Sequence, residues 1–139
     1  MYDPRLVQPM RQELVDAGFE ELLTPEQVEQ VLDQKTGTVF LVINSVCGCA
    51  AGSARPAVRH ALQHTKVKPD KLVTVFAGQD KPATEKAREY LTGVMPSSPS
   101  MYLFKDGKLV HIIERRHIEG QFAQVIADNL IGAFEMYCN

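Results

Sequence analysis

Thr38-Val39-Phe40-Leu41-Val42-Ile43-Asn44-Ser45-Val46-Cys47-Gly48-Cys49-Ala50-Ala51-Gly52 decides how the rest of the chain is read. The run Thr38–Ile43 is mostly β-branched and aromatic and reads as a buried strand. A helical stretch to about Gln63 follows it. Two thiols one residue apart, between a strand and a helix, are placed for redox chemistry. The unpaired N–H groups and partial positive charge of a helix N-terminus favour a thiolate over a thiol, and the thiolate is what attacks disulfides. A disulfide between residues i and i+2 needs the chain to turn between them, and Gly48 is the residue most able to do so. The small ring is expected to be strained and therefore readily reduced.

Outward from that centre, the elements follow in order. Residues 5–17 read as an amphipathic helix with Leu6, Val7, Met10 and Leu14 at helical spacing, closed by Gly18. Thr24-Pro25-Glu26-Gln27 is a helix start, and that second helix runs to about Gln34 with Val28, Val31 and Leu32 inward. Strand 38–44 leads to the thiols, and the next helix is expected to begin near Cys49 and kink at Pro56. Lys71–Ala77 is a second strand, and Asp80 caps a helix to about Leu91. Met101–Phe104 and Leu109–Ile113 flank Lys105-Asp106-Gly107-Lys108, a hairpin signal. A last helix, about Gln121–Phe134, directs Phe122, Val125, Ile126, Leu130 and Phe134 inward.

The resulting order ααβαβαββα predicts an α/β fold with a mixed four-stranded sheet and helices on both faces. Two parallel βαβ crossovers are followed by an antiparallel hairpin. The 139 residues fit one domain, 1–139, with residues 1–36 as an N-terminal helical extension. A net charge of −2 argues against a nucleic-acid or membrane-surface partner, and no apolar run approaches the ~20 residues of a membrane span. Three cysteines are too few for a disulfide scaffold. With no export signal, they point to a reducing, cytoplasmic setting and a catalytic or metal-binding pair. The residues carry no signal for an oligomeric state.

From Thr38 onward the order resembles the thioredoxin fold, with Cys47 and Cys49 at the place of its dithiol and Ser98-Pro99 at the place of its cis-proline. A narrower family matches more closely. Asn44–Gly52, Val75-Phe76-Ala77-Gly78-Gln79-Asp80 and Ser97-Ser98-Pro99-Ser100-Met101 resemble the bacilliredoxins, and Pro9-Met10-Arg11 and Gly18-Phe19-Glu20-Glu21 extend the likeness to the N-terminal helices.

The resemblance implies thiol–disulfide exchange: removal of bacillithiol from mixed disulfides on client proteins, and disulfide isomerisation. It implies bacillithiol as a low-molecular-weight co-substrate, with no bound cofactor and no metal. Carried over by position, Cys47 attacks and Cys49 resolves, while Gly48, Ser98 and Pro99 meet the substrate, Ser98 through its backbone. The chain departs from ordinary thioredoxin at Val46, where that protein keeps a Trp, and at Leu41, where it keeps a buried Asp.

Other readings are weaker. Two close thiols can be small buried hydrophobes. Cys47-x-Cys49 with His60-x3-His64 superficially matches a zinc pattern, and a metal-binding or thiol-storage module is the alternative function. On one helix, however, His60 stands roughly 16 Å beyond Cys49. His111 and His117 carry no clear assignment, Asp80 could shuttle protons from the sheet edge, and Cys138 reads as a surface thiol.

Overall fold

The computed structural model describes residues 1–139. The elements are α1 (Pro4–Asp16), β1 (Glu20–Glu21), α2 (Pro25–Leu32), β2 (Thr38–Asn44), a π-turn (Ala50–Ala54) running into α3 (Arg55–His64), and β3 (Lys71–Phe76). They continue with α4 (Lys81–Glu89), β4 (Ser100–Lys105), β5 (Lys108–Ile113), α5 (Arg115–Ile118) and α6 (Ala123–Tyr137). The continuous apolar run of β2 is that of a strand covered on both sides, and all seven of its residues are buried.

Around β2 the sheet order is β1-β3-β2-β4-β5. β3 runs parallel to β2, with Leu41 opposite Val73, and β4 runs antiparallel, with Leu41 opposite Tyr102. Alternate residues of β2 point into two cores. Phe40 and Val42 meet Leu14 of α1, α3 and α6, with the Phe40 ring edge-on to Phe134 at 5.0 Å. Val39, Leu41 and Ile43 meet α2 and α4.

The α/β thioredoxin-like class expected from the sequence is the observed one, with three corrections to its detail. First, the sheet has five strands, because Glu20–Glu21 pairs with Val73–Thr74. Two acidic residues are too short a segment to show any periodicity. Second, of the two crossovers expected to be parallel only β2–α3–β3 is, since β4 runs antiparallel to β2. Residues 90–99 carry the chain back to the dithiol end before β4 begins, so Ser100 pairs with Ile43 at the top of β2. Ten residues have ample reach for that return, and it sets Ser98–Pro99 at the end of the sheet where β2 delivers the cysteines. Third, Phe122 is 82% and Val125 53% exposed. Phe122 precedes the helix as its N-cap, and the buried stripe of α6 runs through Ile126, Leu130 and Phe134, with Val125 beside it. Leu6 is exposed in the same way beside buried Val7 on α1.

The local signals are realised close to their expected places. Thr24 caps α2 by accepting the Gln27 N–H at 3.2 Å, and the Gln27 side chain accepts the Leu23 N–H at 2.7 Å. The β4–β5 hairpin turns through Asp106 and Gly107, both at positive φ (51° and 81°). The four-residue α5 has no counterpart in the sequence reading.

Candidate active site

β2 ends at Asn44, Ser45–Cys47 form a short connection, and helical structure begins at Gly48. The helix opens with a wide turn in which the Arg55 N–H reaches back to the Ala50 carbonyl, and Pro56 lies in the first turn of α3 beyond it. The break expected at Pro56 is therefore a π-turn within a helix that starts at the thiols. Pro lacks an N–H, and a widened turn accommodates the missing bond.

This geometry brings Cys47 Sγ and Cys49 Sγ to 2.8 Å, longer than the about 2.05 Å of a disulfide; both cysteines are free and half-buried. The bend between them does not depend on glycine, in contrast to the sequence expectation. Gly48 has no positive φ, and a Cβ placed on it would meet nothing within 4 Å. The helical turn itself gathers the pair, and Gly48 faces open space.

The two thiols are electrostatically unequal. Cys47 is held below the ordinary range of a thiol, first by the hydrogen bond from the Cys49 thiol, then by the backbone N–H of Cys49, with further help from the Arg115 charge and the Ala50 N–H. Burial pushes Cys49 up, and the neighbouring Cys47 thiolate pushes it further. The arrangement favours one thiolate stabilised by its protonated neighbour and by a helix N-terminus.

Pro99 is buried and the Ser98–Pro99 peptide bond is cis. The Ser98 carbonyl accepts from Arg115 Nη1 at 3.4 Å, and the Arg115 N–H donates to Ser97 Oγ at 3.4 Å. Arg115, which is salt-bridged to Glu119 at 3.2 Å, thus holds the cis-proline loop, and its charge favours the Cys47 thiolate. Nothing in the sequence singles it out from the Arg-Arg-His run in which it stands. Beside it a polar groove of about 560 Å³ is lined by Met95, Ser97, Arg115, Arg116 and Glu119, among others.

The remaining candidates lie in other roles. Asp80 makes no side-chain cap to α4. Its carboxylate takes Arg11 in a two-pronged pair at 2.7 and 3.1 Å, so it is committed to an ion pair and not poised to shuttle protons. Arg11 also binds Glu21 at 3.0 Å and covers the Phe76 ring. His60 and His64 stack on each other at 4.2 Å, and no group of three or more His, Cys, Asp or Glu side chains is gathered to hold a metal ion. His117 Nδ1 accepts the Glu114 N–H at 3.0 Å, which ties it to the start of α5. His111 bonds Asn129 on α6 at 2.7 Å. Cys138 caps the C-terminal end of α6 and is half-buried rather than a frayed surface thiol.

The protein-family model described as Disulphide isomerase matches residues 2–138. The bacilliredoxin of Salinibacter ruber is 56% identical over 99% of this chain and 81% of its own length. That of Cytophaga hutchinsonii is 58% identical over 94% of this chain and 95% of its own length. The chain belongs to the bacilliredoxin family. Among solved structures, the thioredoxin of Malassezia sympodialis superposes with a TM-score of 0.58 at 14% identity, over 87% of this chain and 91% of that one, which shows the shared fold. Family membership and the paired free thiols make the protein an oxidoreductase of thiols and disulfides. The N-terminal segment belongs to the family, since the matched region starts at residue 2, and the superposition over 87% of the chain itself reaches back before Thr38.

Proposed function

We propose that the chain removes bacillithiol from mixed disulfides on client proteins, with Cys47 as attacking thiolate and Cys49 as resolving thiol. The observation that carries this reading is two free thiols 2.8 Å apart at the start of a helix, with Cys47 just before its first turn and Cys49 within it.

In the first step the Cys47 thiolate forms a bond to the bacillithiol sulfur, the client–bacillithiol S–S bond breaks, and the client leaves as a thiolate that takes up a proton. Cys47 then carries bacillithiol. Two exits conserve the electrons. Cys49, having lost its proton to solvent or to the departing sulfur, can attack Cys47, expel bacillithiol and leave a Cys47–Cys49 disulfide. Alternatively a second bacillithiol thiolate attacks the bound one, releasing bacillithiol disulfide and restoring Cys47. In both, the client disulfide gains two electrons and a pair of thiols loses two. Low-molecular-weight thiol in a reducing cytoplasm is the reductant that resets an internal disulfide. Ser98, at the sheet end where β2 delivers the thiols, and the open space at Gly48 receive the client chain, with Arg115 fixing the Ser98 carbonyl. Disulfide isomerisation uses the same first step on a protein disulfide.

The test is a client carrying a bacillithiol mixed disulfide, incubated with wild type and with Cys49→Ala. Wild type is expected to release the client thiol. Cys49→Ala is expected to accumulate a Cys47–bacillithiol adduct, visible by mass spectrometry, and to turn over when free bacillithiol is added. Release that needs Cys49 but not Cys47 defeats the assignment, and binding without any release returns the protein to a thiol-storage role.

A further inference from the structure

Arg55 is 2% exposed, and a buried guanidinium is stable only where its donors and charge are met. Its Nε donates to Glu13 Oε2 of α1 at 2.8 Å. Its Nη1 donates to Asn44 Oδ1 at 3.0 Å and to the Ser45 carbonyl at 2.9 Å. Asn44, also 2% exposed, accepts the Ser45 N–H at 2.8 Å through the same oxygen, and its amide donates to the Met10 carbonyl at 3.2 Å. Ser45 Oγ in turn accepts the Cys47 N–H at 3.0 Å. An unbroken series of hydrogen bonds thus runs from α1 to the backbone of Cys47.

The segment Ser45–Cys47 belongs to neither strand nor helix, and its buried polar groups must find partners elsewhere. Both the N–H and the carbonyl of Ser45 are held by the Asn44–Arg55 pair. The planar guanidinium is well shaped to hold them. It reaches a carboxylate on one edge and two oxygens from its neighbouring arm, in a fixed geometry that an ammonium does not reproduce.

We propose that Arg55 and Ser45 are positioning residues for Cys47, and that α1 takes part in the active site by anchoring Arg55 through Glu13. Resting on the reading of Cys47 as the attacking thiolate, the proposal adds what places it. With Ser45 fixed, the Cys47 backbone starts the helix at one point, its carbonyl taking the Ala50 N–H at 2.9 Å, and Sγ stands 2.8 Å from Cys49 Sγ. With Ser45 released, the connection shifts and the thiolate loses part of that support. α1 is then a component of the reactive thiol's surroundings and not only a cover for the sheet.

The experiment is the pH dependence of Cys47 alkylation by iodoacetamide, followed by mass spectrometry on the full chain, for wild type, Ser45→Ala, Arg55→Lys, Arg55→Met and Glu13→Ala, with a thermal midpoint for each. Ser45→Ala and both Arg55 variants are expected to move the Cys47 profile upward in pH. Alkylation well below the ordinary thiol range of about 8.5 should slow about two- to tenfold. Arg55→Lys should fail to restore wild-type behaviour, because the charge is kept and the fork is lost. Glu13→Ala should give a smaller shift in the same direction. If Arg55→Met does not fold, Ser45→Ala decides, since it removes one oxygen and no packing. Variants with lowered thermal midpoints but an unmoved Cys47 profile overturn the proposal. An unmoved profile in Glu13→Ala alone overturns the role of α1. A wild-type Cys47 that alkylates like an ordinary thiol instead strikes at the functional reading itself, and the two failures are thereby told apart.

Discussion

Cys47 and Cys138 are both half-buried, free thiols next to a helix, yet they sit at opposite helix ends. Cys47 stands at a helix start, beside the positive end of the backbone dipoles, and its thiol is held low. Cys138 is the C-cap of α6, where the N–H groups are already used, its own reaching the Phe134 carbonyl, and burial pushes its thiol up. Similar exposure therefore yields opposite reactivity. What distinguishes the two is the direction of the local backbone dipoles, the second thiol beside Cys47, and the burial that outweighs the Lys105 charge at Cys138.

The largest expected effect separates the two sites by activity. Cys47→Ala should reduce exchange on a mixed-disulfide client to background, because no other thiol has a thiolate in place. Cys138→Ala should leave the rate within about twofold, its change being remote from the dithiol. A Cys138 variant as inactive as Cys47→Ala breaks the comparison.

The next effect is in pH. A lowered pKa means that Cys47 deprotonates as pH rises before an ordinary thiol does, so its alkylation should already be appreciable below about 8.5. Cys49 and Cys138 are raised, so their thiolates, and their alkylation, should appear only above that value. Peptide-resolved mass spectrometry across a pH series checks the order, and simultaneous labelling of all three would contradict it.

Arg115→Gln should sharpen the contrast. The guanidinium favours the Cys47 thiolate from a partly exposed position, so its loss should slow Cys47 alkylation at mildly acidic pH about two- to fivefold. Labelling of Cys138 should be unchanged. The effect of the substitution should shrink at high salt, as a screened charge requires.

The smallest effect is at Gly48. Since its φ is not positive and a Cβ would meet nothing, Gly48→Ala should keep the fold and Cys47 alkylation, with stability in denaturant unchanged or raised by up to about 1 kcal/mol. Slower exchange on a bulky client with alkylation intact would then report the approach of substrate to that open space. A loss of stability would restore the idea that the turn itself needs glycine.

Much of this site was legible because its signals are local. The buried run before Cys47, the Thr24-Pro25 helix start and the Asp106-Gly107 turn each depend on neighbours within a few residues, and each appears where the sequence placed it. Resemblance supplied the position of the cis bond before Pro99, which composition alone could not single out. Where the sequence reading failed, a local rule met a distant partner. Asp80 stands at the N-cap of α4 as expected, but its side chain leaves the helix uncapped and pairs with Arg11, 69 positions away. Phe122 and Val125 fitted an apolar stripe whose exact phase on α6 was decided by the sheet.

By itself, then, the sequence determined a strand delivering two thiols to a helix start, the alternation of elements and the hairpin, all consequences of periodicity, capping and turn chemistry. The tertiary structure alone decided that β4 runs antiparallel, that Glu20–Glu21 adds a fifth strand, and that Arg115 reaches the cis-proline loop from beyond β5. It also decided that Glu13 meets Arg55 across 42 positions. Such pairings depend on where the chain returns after each loop. Arg55 and Arg115 look alike as letters in a sequence. In the fold one is buried against the Ser45–Cys47 connection and α1, and the other stands partly exposed at the cis-proline loop, because α3 turns Arg55 toward Glu13 while the short α5 leaves Arg115 at the surface.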